Sequence, residues 1–197
     1  MAEKTTTLYL IRHAESDNNV HDNRTRPLTE NGRSDAVELA EMLGDIQFDA
    51  LYSSPYQRAI DTIKPLASKY SLEIETIDDF RERKPADVWV EDFSEFMARQ
   101  WGDFTYKLPG GESLGEVQER FTAALNAICC ENPGKTIAIA SHGTALCAAL
   151  SYYDPSVGFK EFHELVNVTP FVVRLEFVGE KFQSWEKLGG FYDNTRN

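Results

Sequence analysis

The stretch "TLYLIRHAESDNN", residues 7–19, carries Leu8, Tyr9, Leu10 and Ile11 without a break into Arg12 and His13. A strand with one wet face alternates apolar and polar residues. A run without alternation is expected of a strand covered on both faces. The segment therefore reads as a buried strand of a layered α/β structure. It also delivers a guanidinium and an imidazole to the point where that strand surfaces.

The pattern repeats along the chain. "FDALYS" and "TIAIAS" read as further buried strands and "LEIETI" as a half-buried one. Between them lie helical stripes. Ala36, Leu39, Ala40 and Leu43 follow Thr29 as N-cap, and Ala59, Ile60, Ile63, Leu66 and Ala67 follow Ser54 as N-cap with Pro55 in the first turn. Val117, Phe121, Ala124, Leu125 and Ile128 follow a capping box formed by Ser113 and Glu116. "TALCAAL" reads as a short helix apolar on most sides, and "PFVVRLEFV" and "KFQSWEKL" as a closing hairpin around "GE". This alternation predicts a mainly parallel sheet with helices on both faces and a C-terminal antiparallel hairpin.

At 197 residues the chain reads as a single domain spanning 1–197. An aromatic and acidic insertion, about residues 84–112, is expected to cover the sheet edge as a cap. It holds a short helix around Phe93 to Trp101, and Trp89, Phe93, Phe96 and Trp101 are expected to form its own core.

Composition narrows the partners. The formal net charge of −12 and the absence of a basic stripe argue against nucleic acid and anionic membranes. No apolar run has the length of a membrane span, and "MAEKTTT" carries no apolar signal region, so a cytoplasmic location is expected. Three cysteines, two of them adjacent at Cys129 and Cys130, suit a reducing compartment better than a disulfide framework. Oligomeric state is not encoded in any feature of the sequence.

In a parallel sheet the strands' carboxyl ends share one edge, where ligands bind. That edge gathers Arg12 and His13, then Arg58 one turn into the following helix, then His142 and Gly143 at another helix start. Guanidiniums, imidazoles and free helix N–H groups together suit an anion. Several chemistries fail on spacing. No cysteine precedes an arginine as a cysteine phosphatase requires, no C-x-x-C follows the H-x-E of His13 and Glu15, and no P-loop is present. "IASHG" keeps Ser141 and Gly143 of a nucleophile elbow but has Ile139 where the first glycine belongs, so a serine hydrolase stays as a rival.

A histidine nucleophile fits better. Guanidiniums from Arg12 and Arg58 would lower the pKa of His13, keep its lone pair free and hold phosphoryl oxygens. His142 would be a second donor, most useful when protonated. This cationic clamp needs no metal and no cofactor, and a carboxylic acid from a rim loop would protonate the leaving oxygen.

Six elements carry a resemblance: "LIRHAES" with Asn19, "LTENGRSDA", "YSSPYQRAIDT", "FRERK", "GESLGEVQERF" and "IASHG". In this order they resemble the histidine phosphatase superfamily, the branch that includes cofactor-dependent phosphoglycerate mutases. The resemblance implies that His13 is the phosphorylated nucleophile and that Arg12, Arg58 and His142 hold the phosphate, with Gly143 beside them. It implies that Asn19 lies in the pocket and that Glu82 serves as acid and then base. Ala14 stands where the family commonly has glycine. In the mutases a tyrosine-glycine segment and basic residues follow the glutamate. Here "ERKPADVWVEDF" has no tyrosine and turns acidic, which favours hydrolysis over mutase transfer. Arg24 and Arg26 are rim candidates for a second anionic group. The expected partner is a small phosphomonoester, with a phosphoprotein as a further candidate. A phospholigand-binding module without turnover is the remaining alternative.

Overall fold

The computed structural model describes residues 4–190 except Trp89, so the expectation for Trp89 lies outside the described residues. Six strands form one sheet in the order β3-β2-β4-β1-β5-β6. The strands are β1 (Thr5–Arg12), β2 (Ala50–Ser53), β3 (Ile74–Thr76), β4 (Thr136–Ser141), β5 (Phe171–Val178) and β6 (Lys181–Gly190). β1 through β4 pair in parallel, and β5 and β6 run antiparallel at the end beside β1.

The strand residues divide between two cores, as period-2 geometry demands. Leu8 and Leu10 of β1 and Ile137 and Ile139 of β4 pack with α4 (Leu114–Glu131) and α5 (Gly143–Tyr153). Tyr9, Ile11, Ala138 and Ala140 face the other way, toward α1 (Glu30–Met42) and α2 (Gln57–Tyr70). Both faces of β1 are therefore dry, which is why its sequence does not alternate. α4 opens with the expected capping box, in which Ser113 Oγ accepts from the Glu116 N–H and Glu116 accepts from the Ser113 N–H. Thr29 caps α1 in the expected way. Caps of this kind contribute about 1 kcal/mol each.

Two expectations need correction. α2 begins at Gln57 with Tyr56 as N-cap, not at Ser54–Pro55; the Ser54 hydroxyl accepts from the Tyr56 N–H at 3.1 Å in the turn before the helix and is bonded to His142 at 2.7 Å. Ile60 is only half-buried, and Thr62 takes the inward position and accepts the Ala14 N–H at 2.9 Å. The 84–112 insertion includes α3 (Phe93–Gly102). Its Trp101 stacks near Phe162 of α6 (Phe159–Val166), ring centroids 5.0 Å apart, and the two helices form a wall beyond the strands' carboxyl ends. α6 itself lies in a stretch with no expected element. Among the described residues no helix is long and apolar enough to cross a membrane.

Candidate active site

Parallel register brings the chemistry together. The His13 N–H donates to the Ser141 carbonyl at 3.0 Å and the Ser54 N–H to that of Ala140 at 2.8 Å, so β1, β2 and β4 end level with one another. Beyond these ends lies a cavity of about 800 Å³ whose walls include Arg12, His13, Arg26, Arg58, Glu82 and Gly143.

His13 is held in one tautomer by two bonds. Its Nδ1 lies 2.7 Å from the Ala14 carbonyl, an acceptor, so Nδ1 carries the proton. The other ring nitrogen, Nε2, accepts from Arg58 Nε at 3.1 Å. Burial first, then the charges of Arg58 and Arg12, push the His13 pKa well below the ordinary histidine value. The sequence points to the arginines as the cause, but the larger effect is desolvation.

His142 stands behind His13, ring centroids 5.2 Å apart, and is fully buried. Burial and the charge of Arg58 also lower its pKa. The expectation of a protonated donor is therefore corrected to a neutral ring whose Nε2 is bonded to Ser54. It makes no side-chain cap on α5. Arg58 is buried at 3% exposure, and desolvation lowers its pKa to about 10 while Glu82 opposes the shift. It remains cationic at neutral pH. Its Nη1 donates to the Asn23 carbonyl at 2.7 Å.

Arg12 is anchored from the far side. Its Nη1 donates to the carbonyls of Val166 at 2.5 Å and Val168 at 2.8 Å, at the C-terminal end of α6, where helix carbonyls lack internal partners. Its Nε packs on Gly143, where an added Cβ would stand 3.2 Å from it. Glu82 reaches the start of α5. One carboxylate oxygen accepts from the N–H groups of Arg83 at 2.8 Å and Ala145 at 2.9 Å, the other from that of Thr144 at 3.1 Å. Two of these donors, the N–H groups of Thr144 and Ala145, belong to the first turn of α5 and have no partner within the helix.

The remaining candidates divide. Arg26 lines the cavity while its Nε donates to the Val20 carbonyl at 2.8 Å; Arg24 is exposed and does not appear in the cavity wall. Asn19 is exposed and turned onto the Asp17 carboxylate at 2.9 Å, whereas Asn18 and Asn23 line the cavity. Ser141 is fully buried and donates its hydroxyl to the Phe80 carbonyl at 2.7 Å, which removes it as an exposed nucleophile. His163 is exposed and lines the cavity with its ring edge against Phe159, centroids 4.5 Å apart.

The sequence reasoning missed Arg83, which lines the cavity while almost wholly buried. It is held by Gln100 Oε1 at 2.7 Å and Met97 Sδ at 3.0 Å. Only its position next to Glu82 could have flagged it. The expected separate core of the insertion is corrected: Phe93 is exposed and lines the cavity, while Phe96 and Trp101 are buried in the same core as β1, β4 and α4.

A family model described as the histidine phosphatase superfamily (branch 1) matches residues 8–186. The chain is 29% identical over 182 residues to the uncharacterized phosphatase PhoE of Bacillus subtilis (strain 168), covering 90% of this chain and 92% of that protein. It is 31% identical over 160 residues to the probable phosphoglycerate mutase GpmB of Salmonella typhi, with 73% of each chain covered. The fold matches that of mycobacterial glucosyl-3-phosphoglycerate phosphatase with a TM-score of 0.74 at 21% identity, over 94% of this chain and 98% of that one. A site built from the family's motif residues and a match over nearly the whole sequence agree: the chain belongs to the histidine phosphatase superfamily.

Proposed function

We propose that this protein is a phosphomonoester hydrolase that works through a phosphohistidine on His13. The observation that carries this reading is the fixed tautomer: Nδ1–H on the Ala14 carbonyl leaves Nε2 as the nitrogen with the in-plane lone pair, facing the cavity guanidinium of Arg58. In the first step Nε2 attacks phosphorus, the bond from phosphorus to the ester oxygen breaks, and Glu82 gives that oxygen its proton. In the second, water attacks phosphorus while Glu82 takes a proton, and the N–P electron pair returns to Nε2. Arg12 and Arg58 hold the equatorial oxygens as charge spreads over them, and His142, bonded to Ser54, backs the His13 ring from behind.

Hydrolysis is favoured over mutase transfer because the outer wall is sparingly cationic. Phe93, Met97, Phe162 and Val166 supply much of it, and the Arg83 guanidinium is already engaged by Gln100. Mutase-type transfer is the second reading, supported by Arg26 in the cavity wall and by the GpmB likeness.

The test is release of phosphate from a panel of phosphomonoesters and phosphopeptides in excess EDTA, with phosphoglycerates followed for isomer exchange. We expect turnover without added metal. His13→Ala should lower it at least about a thousandfold with an unchanged circular dichroism spectrum. Near wild-type turnover in that variant rejects the reading, and isomer exchange faster than phosphate release selects the second one.

A further inference from the structure

The motif "GESLGEVQERF", residues 111–121, contributes nothing to the cavity wall, yet it supplies a charged pair with an unusual set of contacts. Glu112 lies just before the Ser113 cap of α4, and Arg120 two turns into the helix. They meet at 2.9 Å, with side chains 16% and 11% exposed. A partly desolvated pair costs free energy unless its remaining hydrogen-bonding capacity is filled. Here the filling is done by one short segment. Arg120 donates to the carbonyls of Asp79, of Arg81 at 2.9 Å and of Glu82 at 3.4 Å. Glu112 accepts from the Lys84 N–H at 3.0 Å and from Arg81 Nη2 at 2.7 Å. The carbonyl between them, that of Phe80, is taken by Ser141 Oγ. Carbonyls of four successive residues, 79–82, are thus bound by side chains from α4 and β4. This segment has little regular structure of its own beyond a single turn of 3-10 helix, so its shape is imposed from outside.

We infer that Glu112 and Arg120 are positioning residues for the acid–base step: they fix the backbone of Glu82 so that its carboxylate meets the leaving oxygen. Glu112 orients the planar Arg120 fork, and the fork, on the Arg81 and Glu82 carbonyls, sets the peptide planes on either side of Glu82. A lysine in place of Arg120 keeps the charge but cannot bind several carbonyls in one plane. This inference rests on the acid–base role proposed for Glu82, and the experiment separates the two.

The experiment measures kcat/KM for the full chain on a series of aryl and alkyl phosphates, in wild type, Glu82→Gln, Glu112→Gln, Arg120→Lys and the double variant Glu82→Gln/Glu112→Gln. Thermal melts establish that each is folded. General acids matter most for poor leaving groups, so Glu82→Gln should lose most on alkyl phosphates. Glu112→Gln and Arg120→Lys should follow the same trend, about tenfold or more on alkyl phosphates and under about threefold on p-nitrophenyl phosphate. The double variant should be no slower than Glu82→Gln alone, because a residue acting through another has nothing further to lose. Equal losses across the series for Glu112→Gln and Arg120→Lys, or multiplied losses in the double variant, overturn the positioning role while leaving that of Glu82 intact. A flat response from Glu82→Gln overturns both. If Glu112→Gln fails to fold, Arg120→Lys carries the comparison.

Discussion

Gly143 is a residue whose value lies in what it lacks. It opens α5 directly against the clamp, and an added Cβ would stand 3.1 Å from Val166 Cγ1 and 3.2 Å from Arg12 Nε. Neither neighbour can yield freely, since Arg12 is tied to α6 and Val166 is part of it. Gly143→Ala should therefore move the Arg12 guanidinium by a fraction of an ångström. A loss of about 10- to 100-fold in kcat/KM with p-nitrophenyl phosphate is expected, with a much smaller change in melting temperature. Steady-state kinetics beside a melt checks this. His13 makes a second residue-scale prediction. Its lowered pKa keeps the nucleophile unprotonated on the acid side of the ordinary histidine range. The acid limb of kcat/KM, corrected for substrate ionisation, should fall below that range. A limb at the ordinary histidine value would mean that burial and guanidiniums do not act on the ring as the geometry implies.

At the scale of elements, α6 is the part least legible in the sequence and the one most entangled with the site. Phe159, Phe162 and Leu165 do recur at helical spacing after Gly158, with Glu161 at the third position. That eight-residue signal is short, and its flanks give no clear stop. The function of α6 is equally invisible from sequence, because the Arg12 contacts are to its backbone carbonyls, which no residue type announces. Arg12→Met should release those carbonyls and loosen the helix end. Hydrogen exchange followed by mass spectrometry should rise in peptides covering 159–168 and stay unchanged in β4. The start of α2 shows a smaller displacement: the Ser54 hydroxyl accepts from the Tyr56 N–H as a turn residue and also meets His142, while the helix itself begins at Gln57.

For the whole molecule, the sheet and its two cores were readable because burial on both faces leaves an unbroken apolar run at Leu8–Ile11 and again at Ile137–Ala140. The meeting of Arg12, His13, Arg58 and His142 followed from parallel topology alone. Protonation was less readable, since it depends on depth, and depth belongs to the finished fold. Global stability should register it. His13 and His142 both have folded pKa values lowered below the unfolded ones, so as pH falls through the ordinary histidine range the unfolded chain binds protons that the native one refuses. Stability is then full above that range and declines below it, by up to about 1.4 kcal/mol per pH unit for each ring. Glu112 adds to the trend further into acid. Burial raises its pKa, but hydrogen bonds from Arg120 and Lys84 and the charges of Arg120 and Arg81 outweigh that and leave it lowered. Its stabilisation is present above the ordinary carboxylate value and is lost as pH falls through the lowered one. Urea midpoints from pH 8 to 4 should decline, and His142→Asn should flatten the histidine portion.

The hydrogen bond from Arg58 to His13 has one more implication. The same N–H that quiets the imidazole is the one an incoming phosphoryl oxygen would compete for. Arrival of the right anion thus unlocks its own attacker, whereas an uncharged electrophile offers the guanidinium no reason to let go. Slow carbethoxylation of His13, quickened when phosphate draws Arg58 aside without covering the ring, would be the chemical trace of that safety catch.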